Sequence, residues 1–91
     1  MYDDYVVIAD YAKNNEHVTI TDTFLGKPVT TIGARAFLYL PLKAITLGKN
    51  VEAIEADAFC SCTELQEVDG NAELRVIGDG AFMSCTSLEF L

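Results

Sequence analysis

Ile32-Gly33-Ala34-Arg35-Ala36-Phe37, Ile54-Glu55-Ala56-Asp57-Ala58-Phe59 and Ile77-Gly78-Asp79-Gly80-Ala81-Phe82 are one phrase written three times. Their isoleucines lie 22 and then 23 residues apart. A unit of this length is too small to bury its own apolar face. It must stack on a neighbour, and a fixed period in this range marks a solenoid.

The match extends outward from the phrase. Leu42, Leu65 and Leu88 follow a spacing of 23, as do Ile45, Val68 and Leu91. Val51 pairs with Leu74 and Cys62 with Cys85, and Leu40 stands in the cysteine's place one unit earlier. The one missing residue falls beside Pro41, in a connection where a deletion costs little. Within a unit, Leu42-Lys43-Ala44-Ile45-Thr46-Leu47 alternates apolar and small or polar residues and predicts a short strand. Gly48-Lys49-Asn50 is a turn, and Val51 to Ile54 returns to the core. Ala56 to Cys62 is expected to form one or two helical turns, with Phe59 and Cys62 on one face.

Residues 1–31 differ. Tyr5 to Ala9 and His17 to Thr21 each have strand character, with the polar stretch Lys13-Asn14-Asn15-Glu16 between them. This order predicts a β-hairpin covering the first unit's open end, where unpaired strand edges need protection. Gly26-Lys27-Pro28 is expected to be a turn in a segment longer than its counterpart Gly48-Lys49-Asn50. The expected division is a capping hairpin and lead-in over 1–31 and repeats over 32–91, the last incomplete.

The pattern L-x-x-I-x-L, then V-x-x-I-G-x-x-A-F-x-x-C-x-x-L, resembles the BspA-like branch of leucine-rich repeat proteins. The resemblance covers about residues 18–91; Leu40 for cysteine and the lost residue near Pro41 are its departures. It implies an α/β fold: a short leucine-rich-repeat solenoid with an N-terminal β-hairpin cap and about three repeats of 22–23 residues. It also implies a non-catalytic module for protein–protein interaction, of the adhesion type, at a bacterial cell surface or secreted. The N-terminal Met1-Tyr2-Asp3-Asp4-Tyr5 has no basic region of the kind that opens a secretory signal. The expectation is therefore either a cytoplasmic chain or one whose leader is missing.

Composition narrows the partners. The 91 residues carry a net charge of −8. Residues 1–49 balance five acids with five bases, whereas residues 50–91 hold nine acids and only Arg75. Phosphate backbones and anionic membranes attract basic surfaces, so neither is an expected partner. No stretch approaches the roughly 20 apolar residues of a membrane span.

No constellation points to catalysis, a cofactor or a metal. His17 has no nucleophile placed within reach by the repeats, and a base must lie within about 3 Å of the proton it takes. Asp69-Gly70-Asn71 and Asp79-Gly80 lack the alternating register of a calcium loop and are ordinary turn residues. Glu55 and Asp57 are expected to be solvated surface charges. Cys60, Cys62 and Cys85 would need a fourth ligand to hold zinc. Cys62 and Cys85 share a repeat position; stacked strands about 4.8 Å apart would allow a disulfide between them. The plainer expectation is two buried thiols in a column.

Stacking places the strands of successive units in a parallel sheet. The side chains alternating with its core residues are Thr19, Ala44, Thr46, Glu67, Asp69 and Phe90. These are the expected protein-binding residues. Leu88, Phe90 and Leu91 would form an apolar edge. Three readings of that edge stay open: a longer parent chain, pairing of two copies, or a frayed strand. The pairing alternative makes the chain a structural unit that dimerises through this edge.

Overall fold

A computed structural model describes residues 4–9, 16–70 and 72–89. Eight strands follow one another: β1 (Val6–Ile8), β2 (His17–Thr19), β3 (Thr23–Phe24), β4 (Lys27–Ile32), β5 (Ala44–Leu47), β6 (Ala53–Ile54), β7 (Glu67–Gly70) and β8 (Val76–Ile77). They build two walls. The first has the order β1-β4-β6-β8, with β3 hairpinned onto β4, and the second has the order β2-β5-β7. All pairings except β3–β4 are parallel. Each unit therefore contributes one strand to each wall, and the chain winds as a solenoid.

The register is the repeat itself. Ile32, Ile54 and Ile77 stand side by side in the first wall. Val18, Ile45 and Val68 do so in the second. Between the walls, the rings of Phe37, Phe59 and Phe82 form one column. Their centroids are 5.0 and 5.2 Å apart and their planes tilt by 13° and 2°. Phe37, Phe59, Ile32, Ile45, Ile54 and Leu65 have no solvent exposure. No polar or charged residue is buried among the described residues.

The third side departs from expectation. Ala56 to Cys62 and its counterparts form tandem tight turns, and no α-helix is present among the described residues. Left-handed residues recur at each repeat: Arg35, Asp57 and Gly80 at one position, Tyr39, Ser61 and Ser84 at another. A left-handed residue ends a right-handed helix. The hydrogen bonds explain why the turns persist. The amides of Ala58, Cys60 and Cys62 bond within the turn to Glu55, Asp57 and Phe59 carbonyls. Those of Asp57, Phe59 and Ser61 point across to Asp79, Ala81 and Met83 of the next unit, at 3.2, 2.8 and 2.7 Å. A helix would keep every amide at home; here alternate amides tie the units together.

The N-terminal strands also differ from expectation. β1 and β2 do not pair as a hairpin. β1 lies parallel to β4, and β2 parallel to β5, in opposite walls. Their inward residues Val6 and Val18 extend the same apolar rows as the repeats, so the segment stacks as a first rung. The intervening Lys13-Asn14-Asn15 lies outside the described residues. A real hairpin occurs at β3–β4, pairing Thr23 with Pro28 and Phe24 with Lys27. Its turn is Leu25-Gly26, one residue earlier than expected, with φ of 53° and 81°. Two successive positive φ values match the right-handed twist of a two-residue hairpin.

Candidate functional site: the outer face of the second wall

The second wall's register sets two outward rows. His17, Ala44 and Glu67 form one, and Thr19, Thr46 and Asp69 the other. Thr19, Ala44, Thr46, Glu67 and Asp69 thus share one face, with Ala44 and Thr46 half-buried and the others exposed. Phe90, the sixth expected member, lies outside the described residues, as does Leu91.

The face carries a hydrogen-bonded chain. Thr46 Oγ1 donates to Asp69 Oδ1 at 2.8 Å. His17 Nε2 lies 3.2 Å from the same Thr46 oxygen. A hydroxyl has one proton, and Thr46 directs it to the carboxylate, so His17 must donate through Nε2–H. Three strands are linked in this way, and the Asp69 carboxylate is held in place on the surface.

His17 was not among the residues the repeat pointed to. In the repeats, strand partners differ by 23 positions, as Thr46 and Asp69 do. Between Thr19 and Thr46 the offset is 27, because the β3–β4 hairpin is inserted there. The spacing that would have aligned His17 with Ala44 and Glu67 was broken. The only signal was its place two residues before Thr19 in an alternating strand.

Charge is uneven along the face. Gln66, Glu67, Val68, Asp69 and Glu89 line an open groove of about 380 Å³ at the β7 end. Lys43, at the margin, sits 3.7 Å from Glu16, so its charge is already opposed. Such an exposed pair contributes little to stability but does leave the groove acidic. A second groove, of about 410 Å³, lies over the first wall between Tyr5, Pro28, Thr31 and Ala53. It has no charged side chains besides Asp4 and Glu52.

Two of the three thiols tie units together. Cys60, Cys62 and Cys85 are free. Cys62 Sγ donates to the Phe37 carbonyl at 2.9 Å, and Cys85 Sγ to that of Phe59 at 3.1 Å. Each thiol hooks its unit onto the one before. Burial, with Cys85 adding to it, pushes the Cys62 thiol up to about 12. Burial raises Cys85 too. A thiol held neutral is a poor nucleophile and a poor metal ligand. Among the described residues, no three His, Cys, Asp or Glu side chains are grouped to hold a metal ion. No helix among them is long and apolar enough to cross a membrane.

Parallel strands stacked at a fixed repeat, a phenylalanine spine and a third side built from turns define a leucine-rich repeat solenoid. The chain belongs to the BspA-type leucine-rich repeat family: the family model described as a BspA type leucine rich repeat region, in six copies, matches residues 7–91. The fold is similar to a crystal structure of a T. pallidum leucine-rich repeat protein, with a TM-score of 0.90 and 30% sequence identity. That match covers 93% of this chain and 40% of the other. No curated protein matches the sequence. Families of this kind are typically non-enzymatic and point to a role in protein–protein interaction.

Proposed function

We propose that this chain is a non-catalytic, adhesion-type interaction module that holds a protein partner on the outer face of its second wall. The observation that carries the reading is the alignment of Thr19, Thr46 and Asp69 in one row beside His17, Ala44 and Glu67. A ladder of short side chains leaves the sheet accessible, and Asp69 is pre-positioned by Thr46, which lowers the ordering cost of binding. The acidic end favours a basic partner surface and disfavours nucleic acid. A bacterial cell surface or secretion is the setting we propose for such a module, on family resemblance.

The test is capture of the chain by a panel of purified proteins, immobilised one by one. Glu67→Lys/Asp69→Lys should weaken capture by tenfold or more. Glu52→Lys, on the other wall, should leave it unchanged. Equal capture by all three forms rules out the face.

A second reading has its own support. The last rung exposes Val76, Ile77 and Met83 by 57, 49 and 58%, whereas Ile54, one rung earlier, is fully buried. Self-association through this end would cover them. A sedimentation coefficient that rises with concentration is the expected sign.

A further inference from the structure

We infer that His17 is a binding residue of the second wall's outer face and makes capture of a basic partner depend on pH. Neutral, its ring offers that partner an acceptor; protonated, it repels it. The inference rests on the second-wall reading and adds a residue and a condition to it.

The hydrogen bonds fix what the ring presents. Thr46 Oγ1 gives its one proton to Asp69 Oδ1 at 2.8 Å, so towards His17 Nε2, 3.2 Å away, it accepts. A neutral imidazole carries one N–H. With that N–H committed at Nε2, Nδ1 is left as an acceptor. Nδ1 has no hydrogen bond among the described residues, and the side chain is exposed. In this form the face presents acceptors on both outer strands: Nδ1 on β2, and the Glu67 and Asp69 carboxylates on β7. Lysine and arginine donors on a partner surface match both.

Protonation changes the charge without breaking the chain of bonds. The added proton goes to Nδ1, while Nε2–H still donates to Thr46 and Thr46 to Asp69. The three strands stay linked, and only the presented atom changes, from neutral acceptor to charged donor. Imidazole is the side chain whose charge switches between about pH 8 and 5. His17 is the one histidine in the chain.

The charges around the ring do not follow it. Glu16, its neighbour in sequence, is opposed by Lys43, just before β5, at 3.7 Å. Glu67 stands in the same outward row as His17, and Asp69 is reached through Thr46. Carboxylates titrate below that interval and lysine above it. Two strand spacings, about 10 Å, separate β2 from β7, which is about one screening length at physiological salt. An imidazolium therefore offsets part of the attraction of the acidic end and meets a cationic partner directly.

An immobilised decalysine peptide is the probe, with the full chain in solution at fixed ionic strength. Wild type should be captured about threefold or more less tightly at pH 5.5 than at pH 7.5. Glu67→Lys/Asp69→Lys should lose capture at both, which locates the peptide on this face. His17→Gln keeps a donor for Thr46 and an acceptor beside it, without charge, and should bind equally well at both pH values. His17→Lys, charged throughout, should bind weakly at both. The midpoint of the wild-type loss should match the titration of the His17 ring followed by NMR, a readout that needs no variant to fold. A loss shared by His17→Gln, or a midpoint apart from that of the ring, would overturn the role of His17 and leave the face standing. Capture unchanged by Glu67→Lys/Asp69→Lys would overturn the face itself. No capture at pH 7.5 would overturn the basic class of partner.

Discussion

Phe59 and Phe82 lie ring over ring, centroids 5.2 Å apart and planes within 2° of parallel. They occupy the same place in consecutive units; among the described residues, Phe59 has a ring on each side and Phe82 stacks on Phe59. Phe59 is fully buried, whereas Phe82 is partly buried. Offset stacking adds about 0.5–1.5 kcal/mol per pair beyond area burial. Phe59→Ala should therefore cost about 3–5 kcal/mol and Phe82→Ala clearly less. Urea denaturation of the two variants checks the order; equal losses would mean the column is not the spine of the fold.

Gly70 closes β7 with φ of 117°, a conformation that side chains rarely adopt. A Cβ there would run into the Leu47 backbone of the neighbouring strand. Because the obstacle is backbone, it cannot swing aside. Gly70→Ala should cost about 2 kcal/mol or more, lowering Tm by roughly 8 °C or more. Gly26→Ala, whose Cβ would meet nothing within 4 Å, should suffer only from its φ of 81°. Thermal melts of both variants separate collision from conformational strain.

Cys62 should be the slowest thiol to react with an alkylating reagent in the native chain, because burial holds it protonated. The same shift links to stability. The unfolded thiol loses its proton near pH 9 and the folded one near about 12, so between these values the native state binds more protons. Stability contributed by the neutral thiol is complete below pH 9 and is lost as pH rises toward 12. Denaturation at pH 8 and pH 10.5 should show a smaller loss for Cys62→Ser than for wild type. Parallel losses would remove Cys62 as the cause.

Thr46→Val keeps the shape of the side chain and removes its hydroxyl. Asp69 loses its donor and His17 its acceptor. His17 and Asp69 are exposed and Thr46 is half-buried, so water reaches the freed groups and stability should fall by no more than about 1 kcal/mol. The effect belongs to binding: a free Asp69 carboxylate must be ordered by the partner, and capture should weaken several-fold while the melt barely moves. A large fall in Tm would mean that the hydrogen-bonded chain is structural.

Much of this was legible in the sequence. The spacing of Ile32, Ile54 and Ile77 predicts neighbours in a parallel wall, and the pairing obeys it. Ala44, Thr46, Glu67 and Asp69 share their face by the same arithmetic, because the period carries strand alternation from rung to rung, whereas Thr19 was legible from alternation within its own strand alone. Ala56 to Cys62 departs from the expected helix for a physical reason. Its i, i+3 apolar spacing suits a helix, but half its amides bond to the next unit, and no local pattern records that demand. The first rung departs from the expected hairpin for a similar reason. Two strands separated by a polar stretch suit a hairpin, until the edges of β4 and β5 offer each strand a better partner.

By itself, then, the order of residues decided what repeats, which side chains go inside and which family the chain belongs to. Tertiary structure alone decided that the N-terminal strands part into opposite walls, that the third side is made of turns, and that His17 joins Thr46 and Asp69. Period and polarity are written along the chain. Hydrogen bonds between rungs exist only once neighbouring units have met, and they choose among backbone conformations that each unit would otherwise find nearly equivalent.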